Sequence, residues 1–126
     1  MVMVVLMLAL VQLHSVAGAE AAAAAAAGKT YTVAWNYPFQ QNFYTHWNQG
    51  TSYVVGDRLR FLYNNTYHNV VRVNEEEFLA CKASAVPHTD GDTVFHLNHP
   101  GRQFYICTHV GHCAAGMKLE VIVNEA

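Results

Sequence analysis

Apolar and polar residues alternate along three segments of the chain, and this alternation predicts β-strands with one buried face. In RLRFLY, at residues 58–63, Leu59 and Phe61 share a face that arginines do not occupy. The same period of two is found in YTVAW at 31–35 and in KLEVIV at 118–123. Because successive side chains of a strand point to opposite faces, each segment fits a strand lying on a core.

Three more segments rich in Val, Phe and Tyr predict additional strands. They are HNVVRV at 68–73, TVFHL at 93–97 and QFYIC at 103–107. QFYIC is apolar in both phases, so its pattern does not show which face is buried. Asn, Pro and Gly at 98–101 predict a hairpin between two of these strands. Six or more short strands separated by turns predict an all-β, antiparallel sandwich.

One segment, NEEEFLAC at residues 74–81, predicts a short helix. Asn74 is a suitable N-cap, and the three glutamates that follow it lie where the positive end of the helix dipole favours acidic residues. The predicted fold is therefore an all-β sandwich with one or two short helices.

The N-terminal segment predicts export from the cell. An apolar run from Val2 to Val11 precedes Ala17-Gly18-Ala19, which fits cleavage of a signal peptide spanning residues 1–19. The run is shorter than the roughly 20 residues that a membrane-spanning helix needs. An alanine-rich, low-complexity spacer follows at 20–28. We expect a secreted, extracellular protein whose folded domain occupies residues 29–126, with no membrane anchor in the mature chain.

Composition narrows the class of partner. The chain has 52% hydrophobic residues, 7 Lys and Arg, and 9 Asp and Glu, with a net charge of −2. This is the composition of one globular domain without the basic surface that a nucleic acid requires, so we expect no nucleic-acid partner. We also expect a monomer.

The segment CTHVGHCAAGM, at residues 107–117, carries the candidate chemistry. It holds two of the three cysteines, and the third is Cys81, so one sulfur has no disulfide partner in an oxidising compartment. Cys107, His112 and Met117 follow each other at intervals of five residues. Thiolate, imidazole and thioether are soft donors, and together they select copper over magnesium or calcium.

A trigonal copper site needs a second imidazole. His68 is the best candidate because it begins a predicted strand directly after a turn, at one end of the sandwich. His109 is the competing candidate, but it lies on an extended segment two residues from Cys107, which leaves little room for a metal between the two side chains.

The motifs HNVVRVN, TDGDT, FYIC, GHC and GMKLEV resemble those of the phytocyanins, the secreted plant blue copper proteins. The resemblance spans roughly residues 31–123. The HNVV run is most similar to the single-domain plantacyanin branch, with the uclacyanins next. This likeness implies a cupredoxin-like Greek-key sandwich that holds one mononuclear type 1 copper and transfers single electrons, without enzymatic activity. In one departure, AWNYPFQQN stands where the family usually has GGW.

The resemblance also implies a set of metal ligands. His68, Cys107 and His112 match the equatorial ligands, and Met117 matches the axial one. Electrons would leave through the His112 edge, near which we expect an unknown small-molecule or protein redox partner to dock.

The family pattern also pairs Cys81 with Cys113 in a disulfide, which leaves Cys107 as the metal thiolate. Asn69 allows two interpretations: a side chain that braces the ligand loop from outside the ligand set, or an exposed strand amide. Asn64 opens the sequence Asn-Asn-Thr, a predicted N-glycosylation site on a turn.

Three other functions compete with electron transfer. A structural zinc site would use the three cysteines and a histidine, but no two cysteines have the usual close spacing. A catalytic Cys107–His112 dyad would need a substrate cleft that no sequence feature indicates. The third alternative is an extracellular cell-wall or surface interaction or signalling module in which copper redox is incidental.

Overall fold

The computed structural model describes residues 28–126. The predicted signal peptide at 1–19 lies outside the described residues, and so does the alanine-rich spacer except for Gly28. Seven strands and two short helices make up the described part of the chain: β1 (Thr30–Ala34), α1 (Phe43–Trp47), β2 (Tyr53–Val54), β3 (Arg58–Leu62), β4 (Val71–Val73), α2 (Glu75–Ala80), β5 (Asp92–His96), β6 (Gly101–Ile106) and β7 (Lys118–Asn124).

The strands form two sheets, in agreement with the predicted all-β fold. One sheet has the order β1-β3-β5 and the other β2-β7-β6-β4. The purely antiparallel arrangement was wrong, since β1 pairs with β3 and β2 with β7 in parallel. The hairpin at 98–101 was also wrong, because β5 and β6 belong to different sheets. Alternation shows which face of a strand is buried but not the direction of its neighbour.

The predicted buried faces meet in one main core between the sheets. Leu59 and Phe61 of β3 and Leu119 and Val121 of β7 are at most 1% exposed. The main core is formed by these buried residues: Val33, Trp35, Tyr44, Tyr53, Leu59, Phe61, Val70, Phe95, Leu97, Tyr105, Cys107, Met117, Leu119, Val121 and Val123. The apolar positions of the alternating segments therefore form the core that lies between the two sheets.

Strand β6 is covered on both of its faces. Tyr105 belongs to the main core, while Phe104 and Ile106 belong to a second cluster that Phe78 of α2 packs against. The rings of Phe104 and Phe78 are 5.0 Å apart. This double burial explains why the sequence of β6 is apolar in both phases, and it fixes the strand that leads into Cys107.

Helix α2 begins as predicted, with Asn74 as its N-cap. The Asn74 side chain accepts a hydrogen bond from the Glu77 N–H (2.8 Å), and the Glu77 carboxylate accepts one from the Asn74 N–H (3.2 Å). This reciprocal pair satisfies two backbone donors of the first turn. Within residues 28–126 neither helix has the length and apolar character needed to cross a bilayer.

Candidate metal centre

Three donor side chains converge at one end of the sandwich. His68 lies just before β4, Cys107 follows β6, and His112 lies in the loop that leads to β7. The Nδ1 atoms of the two histidines are 3.3 Å apart, and Cys107 Sγ is 3.5 Å from His112 Nδ1. One potential ligand atom from each residue lies within 4.8 Å of the others. His109 is not in this group, although its ring lies 5.6 Å from that of His112.

The loop from Cys107 to Met117 folds back on itself through backbone hydrogen bonds. The Cys107 N–H donates to the Met117 carbonyl (3.1 Å), and the Met117 N–H donates to the His112 carbonyl (2.9 Å). Met117 is completely buried in the main core, to which Cys107 also belongs. The spacing of five and five residues thus brings a thioether into the same buried layer as the thiol.

Burial shifts the pKa of all three donor side chains. It raises the pKa of the Cys107 thiol, against the smaller effect of the Asn69 and His109 backbone N–H groups. It lowers the pKa of His68 and His112, and neighbouring histidines lower both further. Lowered pKa values favour neutral imidazoles, the form that binds metal. One thiol and two imidazoles in a buried cluster form a donor set that fits copper.

Asn69 connects the start of β4 to the residue after Cys107. Its side chain donates to Thr108 Oγ1 and accepts from the Thr108 N–H, both at 2.8 Å. Its own carbonyl accepts from the Trp35 indole N–H at 2.9 Å. Asn69 is only 8% exposed, so it is not the exposed strand amide that was one of its two interpretations. Its side chain thus joins the residue after His68 to the residue after Cys107.

Replacing Asn69 with alanine is expected to lower the free energy of unfolding by about 2 kcal/mol, since two buried hydrogen bonds at roughly 1 kcal/mol each are lost. Denaturant unfolding of the metal-free protein measures this loss. Asn98→Ala is the matched control, because Asn98 is exposed in the loop between β5 and β6 and its replacement should change stability by less than about 0.5 kcal/mol. If both variants lost the same free energy of unfolding, the hydrogen bonds of Asn69 would not be what stabilises this part of the fold.

The disulfide between Cys81 and Cys113 is present as predicted. Their Cα atoms are 5.6 Å apart, and Cys107 is the free cysteine of the described residues. Cys113 follows His112 directly and packs in the second cluster, so the disulfide joins the loop that carries the donors to the end of α2. The bond therefore restricts the motion of that loop.

Tyr37 is a contact of the site that the sequence did not reveal. Its ring lies 5.2 Å from the His112 ring in an edge-to-face arrangement, and the side chain is half exposed. It comes from AWNYPFQQN, the segment that departs from the family pattern. The same segment approaches the donor loop at Gly116, where a Cβ would collide with the Gln41 carbonyl. The aromatic residues of this segment were the sequence signal that could have indicated a contact with the donor loop.

The remaining predicted site residue lies on the surface. Asn64 is exposed in a turn, where its side-chain oxygen accepts a hydrogen bond from the Thr66 N–H at 3.0 Å. The acceptor sequence is thus open to solvent in the folded chain.

Residues 35–117 match the family model described as "Plastocyanin-like domain". A blue copper protein of Arabidopsis thaliana is 37% identical over 94 residues, which cover 73% of this chain and 48% of that protein. The chain thus spans about half the length, or less, of several curated relatives that it matches.

Two solved structures share the fold at 28% and 29% sequence identity. Cucumber stellacyanin with Cu²⁺ superposes with a TM-score of 0.71 at 28% identity, covering 79% of this chain and 98% of its own. Spinach plantacyanin superposes with a TM-score of 0.63 at 29% identity, covering 75% and 99%. The two-sheet architecture is therefore cupredoxin-like, and the His68–Cys107–His112 group fits one type 1 copper. The chain belongs to the phytocyanins, within the plastocyanin-like blue copper family.

Proposed function

We propose that this protein is a secreted one-electron carrier in which His68, Cys107 and His112 are the equatorial copper ligands and Met117 is the axial one. The observation that carries the proposal is the convergence of two imidazoles and one thiol within 4.8 Å, with the buried thioether of Met117 in the same core cluster as the thiol. When bound, copper supplies a Cu(II)/Cu(I) couple that accepts and releases one electron.

The protein holds the donor atoms in place before any metal arrives. Cys107 is fixed by the doubly covered strand β6, His68 by the Asn69–Thr108 hydrogen bonds, and His112 by the disulfide at the next residue. Donors held from three directions move little when the charge of the site changes. Small movement keeps the barrier to gaining or losing an electron low, as a carrier requires.

Electron exchange without substrate conversion fits the surroundings of the site. A groove of about 730 Å³ is present in the described part of the chain, but none of the four proposed ligands lines it. The thiol and thioether are completely buried, and His112 is the most exposed of the proposed ligands. We therefore propose that the protein is not an enzyme and that electrons pass through the His112 edge.

The surface near His112 is apolar enough to receive a redox partner. Tyr37 contacts the His112 ring and is 55% exposed, while Phe39 and Val110 are almost fully exposed on the two neighbouring segments. A small molecule or protein that docks on these apolar side chains would lie close to the exposed edge of the donor group. Secretion rests on the sequence of residues 1–19, and the exposed Asn64 is the proposed glycan acceptor.

Copper titration followed by visible absorption tests the proposal. We expect one equivalent of Cu(II) to produce an intense blue band through charge transfer from the thiolate, and zinc to fill the same site without colour. A copper complex without the blue band would contradict type 1 ligation and favour the extracellular interaction module.

Exchanging Met117 for glutamine is expected to keep the coloured centre and lower its reduction potential. An amide oxygen is a harder donor than a thioether and stabilises Cu(II) relative to Cu(I). We expect a decrease of at least about 60 mV, which corresponds to a tenfold change in the relative affinity for the two oxidation states. Voltammetry measures the change, and Met117→Leu, which offers no donor atom, should move the potential upward. An unchanged or raised potential in the glutamine variant would remove Met117 from the axial position.

A further inference from the structure

A groove of about 730 Å³ follows the outward face of β7, away from the donor group. Lys118, Glu120 and Ile122 form its floor, because alternate residues of a strand point the same way while Leu119 and Val121 enter the main core. Its walls come from the α1 side and from α2 through these residues: Gln41, Thr45, Asn48, Thr51, Phe78 and Leu79.

Hydrogen-bonding groups line the α1 side of this groove. Asn48 donates its side-chain N–H to the Glu120 carbonyl (2.8 Å), and Gln41 donates to the Ala114 carbonyl (3.1 Å). Each side chain donates an N–H to the backbone, and neither amide oxygen has a hydrogen-bond partner within residues 28–126. The groove therefore offers acceptors to a ligand that carries several hydroxyl groups.

Tyr53 contributes an unsatisfied hydroxyl to the same wall. The residue is 1% exposed, and its buried oxygen makes no hydrogen bond of acceptable geometry within residues 28–126. Burial raises the pKa of Tyr53 to about 12, with the nearby Asn48 and Thr51 side chains acting in the opposite direction. A buried polar group without a partner is costly, although this oxygen is itself out of reach of a ligand in the groove.

The charge of the groove is positive at the Lys118 end. Glu120 is paired with Arg102, whose Nε lies 2.5 Å from the carboxylate. The Lys118 ammonium donates to the Phe78 carbonyl (2.5 Å) and lies 4.0 Å from the centre of the Phe78 ring. Within the described residues it has no carboxylate within 4.0 Å. A ligand carboxylate would supply the missing counter-charge.

We propose that this groove binds a short saccharide that carries carboxylates, such as a uronate oligomer. One carboxylate lies against Lys118, the sugar hydroxyls bond the Gln41 and Asn48 amide oxygens, and the apolar face of a ring packs on Ile122. A single ammonium beside acceptor oxygens suits a monoanionic, hydroxyl-rich residue better than a doubly charged phosphate, which has few donors to offer. The inference goes beyond electron transfer, since no proposed copper ligand lines the groove.

Titration of the ¹⁵N-labelled Cu(I) protein with trigalacturonate tests this binding, because Cu(I) is diamagnetic. We expect saturable amide shifts along β7 and α1. Cellotriose, a neutral saccharide, should bind at least tenfold more weakly, and acetate should reproduce only the shifts near Lys118. Absence of saturable shifts at millimolar trigalacturonate, equal binding of cellotriose, or shifts confined to the surroundings of His112 would overturn the proposal.

Variants that remove the charge of one lysine test where the saccharide binds. Lys118→Met should weaken trigalacturonate binding at least tenfold, whereas Lys29→Met, an exposed lysine outside the groove, should leave it unchanged. The blue Cu(II) spectrum reports whether each variant is folded. If Lys118→Met does not fold, Thr45→Val on the opposite wall is measured instead, and it should weaken binding severalfold. Unchanged binding in a folded Lys118→Met or in Thr45→Val would contradict the groove as the site. Binding in a protein that never turns blue would refute the proposed function and keep this inference.

Discussion

Replacing Cys107 with serine is expected to abolish the blue absorption of the copper-loaded protein. Cys107 is the free thiol of the described residues and is completely buried beside His112, so no other sulfur of that part can take its place. A hydroxyl is a poor donor to copper and lacks the covalency from which the colour arises. Two imidazoles remain in the variant, and we expect it to bind Cu(II) weakly and to be nearly colourless.

Visible absorption and paramagnetic resonance of the Cu(II) form measure this loss. Thr108→Ser is the matched control, because it alters the next residue but keeps the hydroxyl that Asn69 binds, and it should remain fully blue. A blue Cys107→Ser protein would mean that the thiolate ligand had been misidentified.

Removing the disulfide by the double change Cys81→Ala and Cys113→Ala is expected to cause the largest loss of stability. The crosslink spans 32 residues of sequence, and on the chain-entropy model a loop of this length contributes about 3.7 kcal/mol. Copper affinity should fall as well, because Cys113 directly follows His112 and its bond to Cys81 anchors the loop that carries His112. Denaturant unfolding of the metal-free protein measures the first effect, and competition with a copper chelator measures the second.

Reduction of the unaltered protein with dithiothreitol provides the control for the disulfide variant. It breaks the same bond without changing any side chain of the second cluster, so it should reproduce most of the loss. A decrease below about 1 kcal/mol in both samples would show that packing around α2 holds the loop without the crosslink.

The sequence predicted those features that depend on local patterns. The period of two in β3 and β7 marked their buried faces, and Asn74 with Glu77 marked the start of α2. The spacing of Cys107 and His112 brought the candidate ligands into one loop because β6 and β7 are hydrogen-bonded neighbours. In each case the residues that decide the outcome lie within a few positions of one another.

Features that depend on distant residues were not predictable in this way. The parallel pairing of β2 with β7 joins Tyr53 to Val123, and nothing in either segment specifies the direction of its partner. Helix α1 has no side-chain cap, and it is fixed instead by Tyr44, whose hydroxyl donates to the carbonyls of Ala34 and Asn36. Likewise, only the folded chain shows that the groove and the Tyr37 contact exist.

The donors are separated by unequal lengths of chain, and these lengths also determine the order in which the site can assemble during folding. Cys107 and His112 are five residues apart on the loop between β6 and β7, whereas His68 is separated from His112 by 44 residues. Closing the longer loop loses more chain entropy, so the pairing of β4 with β6 is the slower event. Until it occurs, we expect the thiol of Cys107 to remain partly exposed and to compete with Cys113 for Cys81. In an oxidising compartment, the fidelity of disulfide formation therefore depends on how quickly β4 joins its sheet.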